Sequence, residues 1–153
     1  KAIEAYKNYL DEMKSSPDIS DLFLYGRLNY YAATDSAYQD KQPTYLAEAD
    51  TIFAQVAVKV PDNYLGNFWR ARVNSLRDPE TTQGLAKPYY EAALSILEQK
   101  PDATKSVLVE CNSYLGYYYF VKEDYNQSKQ YWNKILEIDP ENETATKALG
   151  GIK

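Results

Sequence analysis

Four prolines set the frame of this chain. Pro17, Pro61, Pro101 and Pro140 are spaced by 44, 40 and 39 residues, and each closes a run of apolar residues at helical spacing. Proline lacks the amide that an inner helical turn needs, so it stops a helix. The next residue is Asp in three cases and Glu in the fourth. An acidic side chain there suits the positive N-terminal end of a following helix. Punctuation recurring at about 40 residues marks an array of repeats, each resting on its neighbours.

The stretches between the prolines read as helices. One face carries Ala2, Tyr6, Tyr9, Leu10 and Met13, another Leu46, Ala49, Phe53, Val56 and Val60, and a third Tyr125, Ser128, Trp132, Ile135 and Asp139. Steps of three and four are the amphipathic helix pattern, and no alternating strand pattern competes with it. Weaker breaks fall at 35–44, 78–84 and 122–124, so each period holds two helices. The spacing predicts helices over 2–15, 19–35, 43–60, 62–77, 84–99, 104–122, 125–138 and 142–151. Pro88 falls in a first turn, where no intrahelical donor is lost. The fold class expected is all-α, a superhelix of antiparallel helix pairs.

Composition removes several functions. The formal net charge is −5 and no basic run exceeds two residues, which opposes nucleic-acid or anionic-membrane binding. No stretch reaches the roughly 18 apolar residues of a membrane span. The chain has no histidine and one cysteine. That leaves no usual general base, metal ligand or His-activated nucleophile, and Cys111 reads as a small core residue. No phosphate loop or serine elbow is present. The expectation is no enzyme, no catalytic residue, no cofactor and no metal. The acidic pairs Asp11-Glu12 and Asp139/Glu141 read as solvated helix ends. DPETTQG (78–84) looks like a calcium loop but lacks alternating ligands and a closing bidentate Glu, so it reads as a turn. Tyrosine is abundant, 16 copies against 4 Phe and 2 Trp. An apolar ring with a wet tip suits the half-buried surfaces of thin layers.

The segment 109–142, VECNSYLGYYYFVKEDYNQSKQYWNKILEIDPEN, resembles a tetratricopeptide repeat over its whole length. Leu115-Gly116, Tyr119, Asp124-Tyr125, Ser128 at the family's alanine, Trp132 at its aromatic and Asp139-Pro140 carry the likeness. Asn112 and Glu123 depart from it. Weaker matches continue elsewhere. Gly26 goes with Ala49, Phe53 and Val56, Ala71 with Ala86, Tyr90 and Ala93, and Gly150 lies 34 residues after Gly116. The organisation expected is a single repeat domain over 1–153, with a partial repeat at 1–17. Full repeats then follow at about 18–61, 62–103 and 104–142, with a closing helix at 143–153. The chain starts at Lys1, so the first helix is expected to be an orphan whose face of Ala2, Tyr6, Tyr9 and Met13 favours self-association. YGRLNYY, NYLGNFWRAR and GLAKPYYEAAL are also similar to exported tetratricopeptide proteins of the Bacteroidetes. That resemblance implies the carboxyl-terminal part of a longer periplasmic or envelope-associated protein; composition itself shows no compartment.

The resemblance implies an interaction scaffold that binds a protein or peptide partner, with the first helix of each repeat lining a concave groove. Phe23, Arg27 and Tyr30 share one face of their helix, as do Phe68, Arg72 and Ser75, and Ser113, Tyr117 and Phe120. Arg27, Arg72 and Tyr117 each follow the small packing residue. The candidate groove is therefore Phe23, Arg27, Tyr30, Phe68, Arg72, Ser113, Tyr117 and Phe120, suited to a carboxylate-bearing peptide or helix. Two alternatives stand beside it. The phenylalanines could pack between helices with the arginines solvated, or the groove tyrosines could stack on a glycan. The Lys/Asn carboxylate clamp of chaperone-tail binders is absent from these positions.

Overall fold

The computed structural model describes residues 2–12 and 17–152. Among them the chain forms eight α-helices, one 3-10 helix and no strand. The helices are α1 (Ala2–Glu12), α2 (Ile19–Thr34), α3 (Gln42–Lys59), α4 (Leu65–Arg77), α5 (Lys87–Leu97), α6 (Lys105–Val121), α7 (Tyr125–Ile138) and α8 (Glu143–Gly151). All eight expected helices are present. The end of the first one, with Met13, lies outside the described residues.

The departures have local causes. The break expected at 35–44 holds a 3-10 helix, Ser36–Lys41. The Asp35 carboxylate accepts from the Ala37 amide at 2.9 Å, and the Gln42 amide nitrogen donates to the Ala33 carbonyl at 2.8 Å. Of the acidic residues after the prolines, Asp18 caps its helix through the Asp21 amide at 2.8 Å. After Pro61 and Pro140 the acceptor is an asparagine two residues on. Asn63 takes the Leu65 amide at 2.9 Å and Asn142 the Ala145 amide at 3.0 Å. A side-chain cap is worth about 1 kcal/mol, and Asn serves as well as Asp. That is why α4 starts three residues later than expected.

The described chain divides into two compact units, one ending at Arg77 and the other starting at Asp78. In the first, α1 packs on α2, α2 on α3 and α3 on α4; in the second, α5 packs on α6, α6 on α7 and α7 on α8. Within each unit the helices thus bury their apolar stripes against neighbours in sequence, as in repeat arrays. The first unit has a core of Leu22, Tyr25, Ile52 and Val56, with Ile3, Tyr6 and Leu10 of α1 laid on it. The second has one of Trp132, Ile135, Ala145 and Ile152, with Val109, Leu136 and Leu149 against it.

Helix α1 corrects one expectation. Tyr6 faces α2 and is not part of an open face. Its hydroxyl donates to the Asp21 carboxylate at 2.9 Å, and its ring stacks on Tyr25 at 6.2 Å. Ala2, Ala5 and Tyr9 stay exposed.

Both units use the same close contact. A Cβ built on Gly26 would stand 2.7 Å from the Phe53 ring, and one on Gly116 would stand 2.7 Å from the Trp132 indole. Only glycine lets these rings of α3 and α7 lie against the backbone of α2 and α6. Ser128, fully buried, donates to the Gly116 carbonyl at 2.7 Å and fixes the spacing of the second pair.

Candidate functional site

In the first unit the predicted residues of α2 and α4 meet around a residue that the sequence reading left out, Trp69. Phe23 meets its ring edge-on at 5.9 Å and Tyr30 at 5.3 Å, while Phe53 stacks against it at 5.6 Å. Tyr31, also left out, lies 6.0 Å away and half exposed. Edge-to-face and offset geometry puts positive ring edges on negative ring faces, which stabilises each pair by about 0.5–1.5 kcal/mol beyond area burial.

The two arginines close on the same indole. The Arg27 guanidinium carbon is 5.4 Å from the Trp69 ring, 5.6 Å from Tyr31 and 6.0 Å from Phe23. Arg72 approaches from α4, 4.9 Å from Trp69 and 4.5 Å from Phe68. A cation within about 6 Å of an aromatic face is attracted by the ring quadrupole. Arg27 Nη2 donates to the Tyr31 hydroxyl at a long 3.5 Å, while its Nε is buried without an acceptor. Among the described residues no carboxylate lies within ion-pair distance of Arg27. Arg70 is the contrast. Its Nε is 3.1 Å and its Nη2 3.4 Å from the two Asp50 oxygens, a bidentate pair that Asn74 joins at 2.8 Å. Phe68 is 3% exposed and so acts as a floor under Arg72 and not as an open contact surface.

In the second unit Tyr117 and Phe120 are exposed. Both line a cavity of about 230 Å³ with Trp132 and the end of α8. Ser113 is half-buried and is not among the residues lining that cavity.

The loop read as a turn is one. The Asp78 carboxylate, 3% exposed, accepts from the amides of Gln83 (3.0 Å), Gly84 (2.7 Å) and Leu85 (3.4 Å) and from the Thr82 hydroxyl (3.4 Å). Burial alone would raise its pKa; these hydrogen bonds outweigh that and hold it below the usual carboxylate range. With its oxygens used by its own loop, Asp78 is not presented as a ligand. Elsewhere burial, aided by Asp21, pushes Tyr6 up to about 12, and burial pushes Tyr114 up to about 12. The hydrogen bond to Glu91 raises Lys87. Each displaced group moves away from neutrality, opposite to the tuning of a general acid or base. Among the described residues no three His, Cys, Asp or Glu side chains are grouped to hold a metal, and no helix is long and apolar enough to cross a membrane.

The α2–α3 and α6–α7 pairs, each with a ring of the second helix set on a glycine of the first, belong to a tetratricopeptide-like all-α repeat fold. Among solved structures the chain is similar to the carboxyl-terminal part of a TPR repeat-containing protein from Cytophaga hutchinsonii, at 32% identity and a TM-score of 0.82. The match covers 97% of this chain and 52% of that one, so the chain spans about half the length of the solved protein. No protein-family profile and no curated protein matches the sequence. A fold of this type is in general a protein-interaction scaffold.

Proposed function

We propose that this chain is a scaffold that binds a carboxylate-bearing peptide segment of a partner protein on the α2–α4 face, with Arg27 and Arg72 as the anion-reading pair. The observation that carries this reading is Arg27: a guanidinium bedded on three rings, with no carboxylate among the described residues at ion-pair distance and a buried Nε without an acceptor. Stacking occupies the faces of a guanidinium and leaves in-plane N–H donors for a carboxylate. Phe23 lies against Arg27 and Phe68 against Arg72, while Tyr30 braces the Trp69 ring that both arginines approach; the exposed Tyr117 and Phe120 are a separate aromatic surface of the second unit.

The test is calorimetric titration with a glutamate-rich peptide and its glutamine analogue. The glutamate peptide should bind more tightly, and the difference should shrink with salt. Arg27→Ala with Arg72→Ala should weaken binding by about 1–3 kcal/mol, with the helical circular dichroism spectrum retained. Equal affinity for both peptides, or binding of a chitooligosaccharide in preference to either, would overturn the reading.

A further inference from the structure

On the second unit, Tyr117 and Phe120 of α6, Trp132 of α7 and Ala148, Gly151 and Ile152 at the end of α8 enclose the cavity of about 230 Å³. We propose that this cavity is a socket for one aromatic ring, the side chain of a partner's peptide. The inference deepens the partner-binding reading and stands on residues separate from the arginine pair.

The lining excludes charged occupants. Its one charged member is Lys147, whose ammonium is drawn to Glu143 at 3.0 Å, both of them well exposed. The remaining walls are rings, methyl groups and a glycine. A charged or strongly polar group entering there would lose hydration without recovering hydrogen bonds.

Size then narrows the choice. An apolar cavity of about 150 Å³ in another protein stays dry and takes up benzene. The space here is larger, so a phenyl, phenol or indole fits. Three ring walls favour an aromatic over an aliphatic guest, since edge-to-face pairs add about 0.5–1.5 kcal/mol beyond area burial, or roughly two- to tenfold in affinity.

Ile152 and Ala148 of the α8 wall pack on the core, and the wall is open at Gly151. A Cβ built on Gly151 would meet nothing within 4 Å, whereas one on Gly116 would collide with Trp132. Gly84 is the glycine with a positive φ among the described residues, so Gly151 is not required by backbone conformation. A bare Gly151 beside Ala148 keeps the cavity open and lets a peptide backbone come close. At the mouth, Tyr117 is 44% and Phe120 42% exposed. Two rings left in water around an open apolar hollow are what a binding site presents.

The experiment is an NMR titration of the whole chain with blocked tripeptides, Gly-Trp-Gly, Gly-Phe-Gly, Gly-Leu-Gly and Gly-Glu-Gly. The amides of Gly150 and Gly151 and the Trp132 indole N–H are followed. The Trp and Phe peptides should shift these signals saturably, the Leu peptide should bind roughly two- to tenfold more weakly, and the Glu peptide should leave them in place. Gly151→Leu should fold at least as well as the parent, because its side chain enters open space, yet lose ring binding by on the order of tenfold. No saturable shift, a Leu peptide as tight as the Phe peptide, or unchanged binding in Gly151→Leu would each overturn the proposal. So would a concentration-dependent dimer abolished by Gly151→Leu, which would assign the cavity to a second copy. Arg27 and Arg72 take no part in this readout, so a failed anion-binding test and a failed ring-binding test are told apart.

Discussion

Replacing Gly116 by alanine tests how α6 and α7 are held together. The new methyl carbon would lie 2.7 Å from Cε2 and 2.9 Å from Nε1 of Trp132, well inside the roughly 3.5 Å of an ordinary contact. Trp132 has little freedom to yield. It is 6% exposed and packed with Ile135, Ala145 and Ile152, and the Ser128 bond to the Gly116 carbonyl fixes the helix spacing. Overpacking of this kind costs about 1–3 kcal/mol. The helical preference of alanine over glycine works the other way by about 1 kcal/mol. Gly116→Ala should therefore be neutral to about 2 kcal/mol destabilising in the parent. Trp132→Ala alone should cost about 3–5 kcal/mol. In that background the collision is gone and only the helical preference remains, so Gly116→Ala should now stabilise by about 1 kcal/mol. A double-mutant cycle by urea denaturation, followed by far-ultraviolet circular dichroism, should give a coupling of about 1–3 kcal/mol. If Gly116→Ala stabilises the parent and the Trp132→Ala variant alike, the ring-on-backbone account of the pair is refuted.

Two further outcomes follow from other contacts. Asp78 has a depressed pKa, so the stability it contributes is present above the unfolded carboxylate value of about 3.9 and is lost as pH falls through its lower folded value. Asp78→Asn should flatten the acid side of a stability–pH profile, and an unchanged acid limb would refute that role. Tyr6→Phe removes the bond to Asp21 and should cost about 1 kcal/mol in denaturation. Tyr9→Glu should leave stability alone but suppress self-association measured by light scattering, because Tyr9 with Ala2 and Ala5 forms the exposed apolar stripe of α1; a strict monomer in the parent at high concentration would remove its basis.

The helices were legible because they rest on chemistry that acts locally. Proline ends a helix wherever it stands, and apolar steps of three and four need no knowledge of the partner. The ring-on-glycine contacts were legible as well, since a glycine or serine beside large rings at the repeat period has few other uses. What sequence did not give was the choice between near-equivalent groups. Asp62 and Asn63 are both competent caps, and the loop geometry after Pro61 decides for Asn63. Likewise Ile3, Tyr6 and Leu10 define the buried side of α1 only once α2 lies beside it. The helical period allowed a face rotated by a fraction of a turn.

The candidate site shows the same limit more sharply. Arg70 and Arg72 stand two residues apart and are chemically identical in sequence, yet Arg70 is bound by Asp50, twenty residues upstream on α3. Their helical offset points them to different sides, and only the packed neighbour tells which one meets Asp50. Trp69 lies on the side of α4 that faces Phe53, where an aromatic residue packs as core. It is buried, 6% exposed, and yet the ring on which two arginines converge. The signal that could have found it was available: Tyr31 is four residues after Arg27 and Trp69 three before Arg72, both helical-neighbour spacings. The acidity of the chain sharpens the point. With 22 acidic residues against 17 basic ones, a surface arginine has carboxylates within easy reach. Arg27 lies against three rings instead.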